Sequence, residues 1–322
     1  MIGISFKKSL LCAILLLVPG NISAPVEETV SVHTFPMRDT RPFFEESPSG
    51  NVIYDIMLES MYTAPGAISG NYIVAYYGHP KSRIMGIVGR HPKEELAGMV
   101  KKTASDYASL KPQRGALPAF YLIYGTCQPK GEINLMKREM VEAYIRYAYA
   151  NGILVYLDHQ IGRYSVEHAM DQLLPFLHYP NVHLALDPEW RTTRPMREIG
   201  SIDARELNEA QRRMRDYMVA HGIRGRRHLV IHQFHAKMIR NRSRVRSDYD
   251  PVILVHATSG WGTPERKSAT HERNALAANM PHKGFKLWYY CSDKKGVHYD
   301  NPLMTPSQVV GLRPEPGLII YQ

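Results

Sequence analysis

The sequence predicts a (β/α)₈ barrel, and two observations carry that expectation. Eight short runs of aliphatic and aromatic residues alternate with helix-like segments, as expected of parallel strands buried on both faces. Polar side chains able to do chemistry then recur at the C-terminal ends of most of those runs, where a barrel gathers its functional groups. At 322 residues, with 44% hydrophobic and 22% charged side chains, the chain suits one such domain and not a disordered or fibrous protein. An open, doubly wound sheet is the alternative reading of the same alternation.

The chain opens with Lys7 and Lys8, an apolar run over 9–18, then Pro19, Gly20 and small residues ending at Ala24. That order makes residues 1–24 an expected export signal or, if uncleaved, an N-terminal anchor that tethers the protein to a membrane. Residues 25–70 read as a polar arm rich in Pro and Glu that ends in a short helix over 51–61. The barrel is expected over 71–322. Its strands are predicted at 72–77, 119–124, 153–158, 182–187, 228–232, 251–256, 285–290 and 317–321. Helical patterns occupy 93–110, 135–150, 165–177, 204–221 and 264–279, with a shorter one at 305–310. Asp203-Ala-Arg-Glu206 has the spacing of a capping box, which fixes one helix start. The 51–61 helix is expected to cover the barrel beside the last strand.

The strand ends carry the functional reading. Predicted strand one ends in Tyr76-Tyr-Gly-His79, strand three in Leu157-Asp-His-Gln160 and strand five in Ile231-His-Gln-Phe-His235. Strand six ends at His256, and strand seven in Trp288-Tyr-Tyr290. Strand four ends in Leu184-Ala-Leu-Asp-Pro-Glu-Trp190, the sharpest feature of the chain. A two-residue spacing puts Asp187 and Glu189 on one face of an extended strand. Carboxylates held that close repel as ions, so one should keep its proton near neutrality and serve as a general acid beside an ionised partner. The plainer alternative is that Asp187 caps a loop while Glu189 pairs with Arg191 or Arg194.

The segment Leu186-Asp-Pro-Glu-Trp190 resembles the Asp-x-Glu strand end of family 18 chitinases and family 25 lysozymes. The resemblance implies that Glu189 is the general acid and that Asp187 orients it or stabilises charge. The longer family 18 run of spaced aspartates is absent, because His183 and Ala185 hold the preceding inward positions. With Asp158 as a further carboxylate, the expected catalytic set is Glu189, Asp187 and Asp158. His79, Trp190, His232, Gln233, His256, Trp261 and Tyr290 are the expected substrate-binding residues, since aromatic faces stack on sugars while polar groups meet their hydroxyls.

The function expected is an exported, glycoside-hydrolase-like enzyme without a cofactor, acting on a cell-surface or extracellular polysaccharide. A net charge of +10 and the basic run Arg240-Asn-Arg-Ser-Arg-Val-Arg246 admit an anionic carbohydrate as the partner. Nucleic acid is not expected, because no zinc-finger spacing or RNA-binding signature occurs. Two alternatives stand. A metal-dependent hydrolase is suggested by His232 and His256 on adjacent predicted strands, and a saccharide-binding protein without turnover would use the same mouth. Thr258-Ser-Gly-Trp-Gly262 is not a nucleophile elbow. Cys127 and Cys291 are expected to be unrelated.

Overall fold

The computed structural model describes residues 70–294, 296 and 298–322. The expected export signal and the 51–61 helix lie outside the described residues. Among these residues no helix is long and apolar enough to cross a membrane.

The chain runs β1 (Asn71–Gly78), α1 (Lys93–Leu110), β2 (Gly115–Cys127), β3 (Ile133–Leu135), α2 (Arg138–Ala150), β4 (Leu154–His159), α3 (Val166–Leu173) and β5 (Val182–Leu186). It continues through β6 (Ile202–Asp203), α4 (Ala204–Ala220), β7 (Arg227–Gln233), β8 (Ile239–Arg240), β9 (Val252–Thr258), α5 (Pro264–Ala275), β10 (His282–Leu287), α6 (Pro306–Val310) and β11 (Leu318–Tyr321). Eight of these strands pair in parallel around a ring, β1-β2-β4-β5-β7-β9-β10-β11, and β11 returns to β1. The closed ring bears out the barrel and rules out the doubly wound sheet. β3 hangs antiparallel on β2, and β6 pairs separately with β8.

Two apolar layers follow from strand alternation. Ile73, Ala75, Tyr121, Tyr156, Ala185, Val230, Val255 and Ile320 fill the barrel interior. Their neighbours Val74, Phe120, Leu157, Leu184, Leu186, Ile231 and Ile319 pack outward against the helices. The capping box forms as read: the Asp203 side chain accepts from Arg205 N–H at 3.0 Å, and Glu206 accepts from Asp203 N–H at 2.8 Å.

The seventh barrel strand departs from expectation. It occupies His282–Leu287 and not 285–290, so Tyr290 lies beyond it. This strand carries a lysine on each face. Lys283 points into the helix layer, where its ammonium donates to the carbonyls of Asn274 and Ala277 at the end of α5, both at 3.0 Å. Lys286 points inward and is only 3% exposed.

The barrel also buries polar rings. His183 stacks on His228 at 4.3 Å, and the Tyr156 hydroxyl meets His228 Nδ1 at 2.7 Å. Burial holds His159, His183, His228, His232 and His256 below the ordinary histidine value. These rings stay neutral in the fold, whereas an unfolded chain protonates them near pH 6.5, so their contribution to stability is lost as pH falls below that value. Each opposes folding by up to about 1.4 kcal/mol per pH unit. The three buried carboxyls described below are raised instead and act in the opposite direction, but they are outnumbered. We therefore expect the Tm to fall on going from pH 7.5 to pH 5.0. A calorimetric scan showing equal or greater stability at pH 5.0 would contradict this account.

Candidate active site

β4 and β5 present acids at their C-terminal ends. Asp158 is the last inward residue of β4 and is fully buried. β5 stops at Leu186, so Glu189 does not extend the strand. Asp187 instead caps a short 3₁₀ turn, Pro188–Trp190, its side chain accepting the Glu189 N–H at 3.2 Å. The loop reading of Asp187 is thus correct locally, and the expected extended strand over both acids is not. The tight turn still leaves Glu189 half-buried at the mouth, close enough for the charge on Asp187 to act on it. Arg191 pairs with Glu206 at 2.7 Å and Arg194 with Glu198 at 2.6 Å, so the anticipated pairing of Glu189 with either arginine does not form. Gly200 returns the loop onto this turn, its N–H donating to the Glu189 carbonyl at 2.6 Å. A Cβ at Gly200 would sit 2.5 Å from the Pro188 carbonyl oxygen, so the approach requires glycine.

β10 supplies the residue that the sequence reading overlooked. Lys286 reaches into the barrel, with its ammonium 3.4 Å from the Tyr77 ring centroid and 4.7 Å from that of Trp288. Its charge acts on Asp187, Asp158 and Glu189 together. Lys294, whose charge also acts on Glu189, has its ammonium 5.3 Å from the centroid of the same Trp288 ring. β1 and β2 add two tyrosines: the Tyr77 hydroxyl donates to Asp158 Oδ2 at 2.8 Å, and the Tyr121 hydroxyl meets His232 Nε2 at 2.8 Å. His232 Nε2 lies 3.9 Å from Asp158 Oδ2. Burial keeps the imidazole neutral, so this approach is not a charged pair.

Burial raises all three acids above the ordinary carboxylate range, and for Asp158 and Glu189 the charge on Asp187 raises them further. Asp187 is drawn back towards ionisation by Lys286, by the Glu189 N–H and by a hydrogen bond from the Trp190 side chain. Burial likewise lowers Lys286, and the neighbouring carboxylates oppose that shift. The site therefore has an acid favoured to hold its proton, Glu189, beside one favoured to lose it, Asp187. Asp158 Oδ1 and His232 Nδ1 are buried without a hydrogen-bond partner among the described residues. Orphaned polar atoms of this kind are rare in interiors and mark places where a ligand can be held.

Several expected binding residues lie elsewhere. Gln233 and His256 alternate to the outside of the barrel. There His256 Nε2 meets Gln233 Oε1 at 2.8 Å, and its other nitrogen faces Lys283. This is a buried polar network under α5, completed by Arg242 donating to Gln233 Oε1 at 3.2 Å. The basic run containing Arg242 is thus wired partly into the helix layer. His79 takes a local hydrogen bond from Lys81 N–H at 3.1 Å. Trp261 is 39% exposed and edge-on to His298, while Tyr290 is 66% exposed and edge-on to Tyr299. None of His79, Trp261 and Tyr290 contacts the three acids among the described residues. Trp190 does join the site, and His232 lines its floor. Because His232 and His256 face opposite sides of the barrel wall, they cannot share a metal ion. Among the described residues no group of three or more His, Cys, Asp or Glu side chains is placed to hold one. Cys127 and Cys291 are both free thiols.

No protein-family model matches the sequence, and no curated protein matches it. The fold is similar to that of oxaloacetate acetylhydrolase in complex with oxalate, at 10% identity and a TM-score of 0.50 over 82% of this chain and 80% of that one. It is also similar to a family 18 chitinase from Crocus vernus, at 9% identity and a TM-score of 0.42 over 78% and 92% of the two chains. A hyperthermophilic endo-β-1,4-glucanase gives 9% identity and a TM-score of 0.42 over 83% and 90%. At such identities the likeness concerns the fold alone. The chain is a TIM-like (β/α)₈ barrel.

Proposed function

We propose that this protein is an exported glycoside hydrolase that cleaves a cell-surface or extracellular polysaccharide by carboxylate acid/base catalysis. The observation that supports it is the gathering of Asp158, Asp187 and Glu189 around the Lys286 ammonium at the C-terminal mouth of the barrel. Export rests on the charged, apolar and small-residue order of residues 1–24.

Glycosidic cleavage needs a proton delivered to the leaving oxygen and negative charge near the sugar carbon as it becomes cationic. Glu189 holds the proton, because burial and the charge on Asp187 both oppose its ionisation. Asp187 is the ionised partner, fixed by the Glu189 N–H and drawn towards ionisation by the Lys286 charge. Asp158 lies deeper, is tied by the Tyr77 hydroxyl, and adds a second buried carboxyl whose proton affinity burial and the Asp187 charge both raise. Proton transfer to the leaving oxygen breaks the C–O bond, and water then supplies the hydroxyl to the sugar carbon and returns a proton to the site.

The test is to incubate the full-length wild-type protein with neutral and acidic polysaccharides and to measure new reducing ends. Release from at least one polymer is expected. Binding to a polymer with no reducing ends formed from any of them would replace this reading with that of a saccharide-binding protein.

A further inference from the structure

We infer that the cleft beside Trp190 is a subsite for a uronic acid residue, which makes the substrate an acidic glycan. The inference rests on the glycosidase reading of the neighbouring acids and adds the chemical class of their substrate. The cleft has a volume of about 410 Å³, and its lining includes Cys127, Pro129, Trp190, Arg194, Met196 and Arg197. That volume lies in the range of about 300–1,000 Å³ used by small-molecule sites.

Three features fit a sugar bearing a carboxylate. The first is continuity. Trp190 lines the cleft and closes the 3₁₀ turn that Asp187 caps and that carries Glu189, so a sugar stacked on the indole lies next to the acids. The second is an apolar counter-surface. Met196 is 77% exposed and holds a left-handed backbone at φ 66°, a conformation that costs a side-chain-bearing residue free energy and is tolerated where a surface is used. The third is charge. The guanidinium of Arg194 is engaged by Glu198, whereas Arg197, an exposed residue of the cleft lining, has no carboxylate partner among the described residues. A guanidinium fork beside an aromatic face matches a planar carboxylate carried on a pyranose ring, with the ring face stacked and the carboxylate paired. A neutral sugar would use the indole and leave Arg197 to water.

The loop that carries these groups is held in shape. The Thr192 hydroxyl bonds Glu198 and accepts the Arg194 N–H, while the Arg197 and Glu198 N–H groups both donate to the Arg194 carbonyl. Little ordering is then required when a ligand arrives.

The experiment measures binding calorimetrically with full-length protein carrying Glu189→Gln, so that affinity is read without turnover. The probes are oligogalacturonate, oligomannuronate and hyaluronan oligosaccharides, each beside its methyl ester, which keeps the sugars and removes the charge. At least one acidic oligomer should bind about 10-fold or more tightly than its ester, the effect of one charge-assisted contact. Adding Arg197→Gln should remove that preference and leave ester binding unchanged. Trp190→Ala should weaken acid and ester alike, and Lys101→Gln on the exposed face of α1 should change neither. Equal affinity for acid and ester, an Arg197 variant that keeps the preference, or failure of every acidic oligomer to bind would overturn the inference. Reducing ends released only from neutral glycans would remove the uronate subsite and leave the hydrolase. Charge-selective binding without turnover would do the reverse.

Discussion

Glu189→Gln is expected to lower kcat on a polysaccharide substrate by about 10²–10⁴-fold, the usual contribution of a positioned general acid, and to leave affinity nearly unchanged. Glutamine matches glutamate in shape and accepts the same contacts at the mouth, but it cannot transfer a proton to the leaving oxygen. At about 1.36 kcal/mol per decade, the loss corresponds to about 3–5 kcal/mol of transition-state stabilisation. The fold should not suffer, because burial already opposes the ionised form of Glu189 and the neutral amide removes that burden. An aryl glycoside with a strongly acidic phenol as leaving group needs no proton, so its glycosidic cleavage should fall far less than that of the polymer. Equal losses on both substrates would show that Glu189 acts in some other way, and a variant with wild-type turnover would remove it from the chemistry. Asp187→Asn differs in kind. It takes away the ionised partner, so rate should fall even on the activated aryl substrate.

The two aspartates were legible in the sequence because strand alternation and the strand-to-loop boundary sufficed to find them, whereas Glu189 reaches the mouth on a 3₁₀ turn that alternation does not describe. Asp158 and Asp187 fall on the inward set with Tyr156 and Ala185, and each is the acid found where its strand ends. His256 was assigned to the wrong face for the converse reason. Barrel strands are apolar on both sides, so the run Val252-Ile-Leu-Val255 that leads into His256 has no polar residue to mark the outside. Only closure of the ring decides that Val255 and Ala257 face in and His256 faces the helices. Lys286 was missed through register. Taking the strand as 285–290 moves attention to Trp288 and Tyr290, whereas pairing of Gly284 and Phe285 with Leu318 and Ile319 sets it three residues earlier. The available signal was a lysine flanked by Phe285 and Leu287, since a charge seldom enters a buried run unless opposite charges meet it. The cleft beside Trp190 had no sequence signal at all. It is built from β2 and the loop after β5, segments that only the closed barrel places side by side.

Lys286→Met should displace the whole pH profile of kcat/KM towards alkaline pH. The Lys286 charge lowers the proton affinity of Asp158, Asp187 and Glu189, and methionine fills much of the same space without that charge. An opposite charge within about 4–6 Å moves a carboxyl by about 1–3 units. The acid limb reports ionisation of Asp187, which is needed to stabilise the cationic sugar carbon. With Lys286 gone Asp187 holds its proton to higher pH, so activity begins to rise later. The alkaline limb reports loss of the proton from Glu189, and that loss is also delayed. Both limbs therefore move the same way, by about one unit or more. Lys286→Arg keeps the charge and should hold the limbs near their wild-type positions even if the larger guanidinium lowers the rate. Damage to packing alone would reduce activity at every pH and leave both limbs in place. An unshifted profile in an active Lys286→Met protein would thus show that the ammonium does not set the ionisation of the acids, and the division of roles between Glu189 and Asp187 would lose its physical cause.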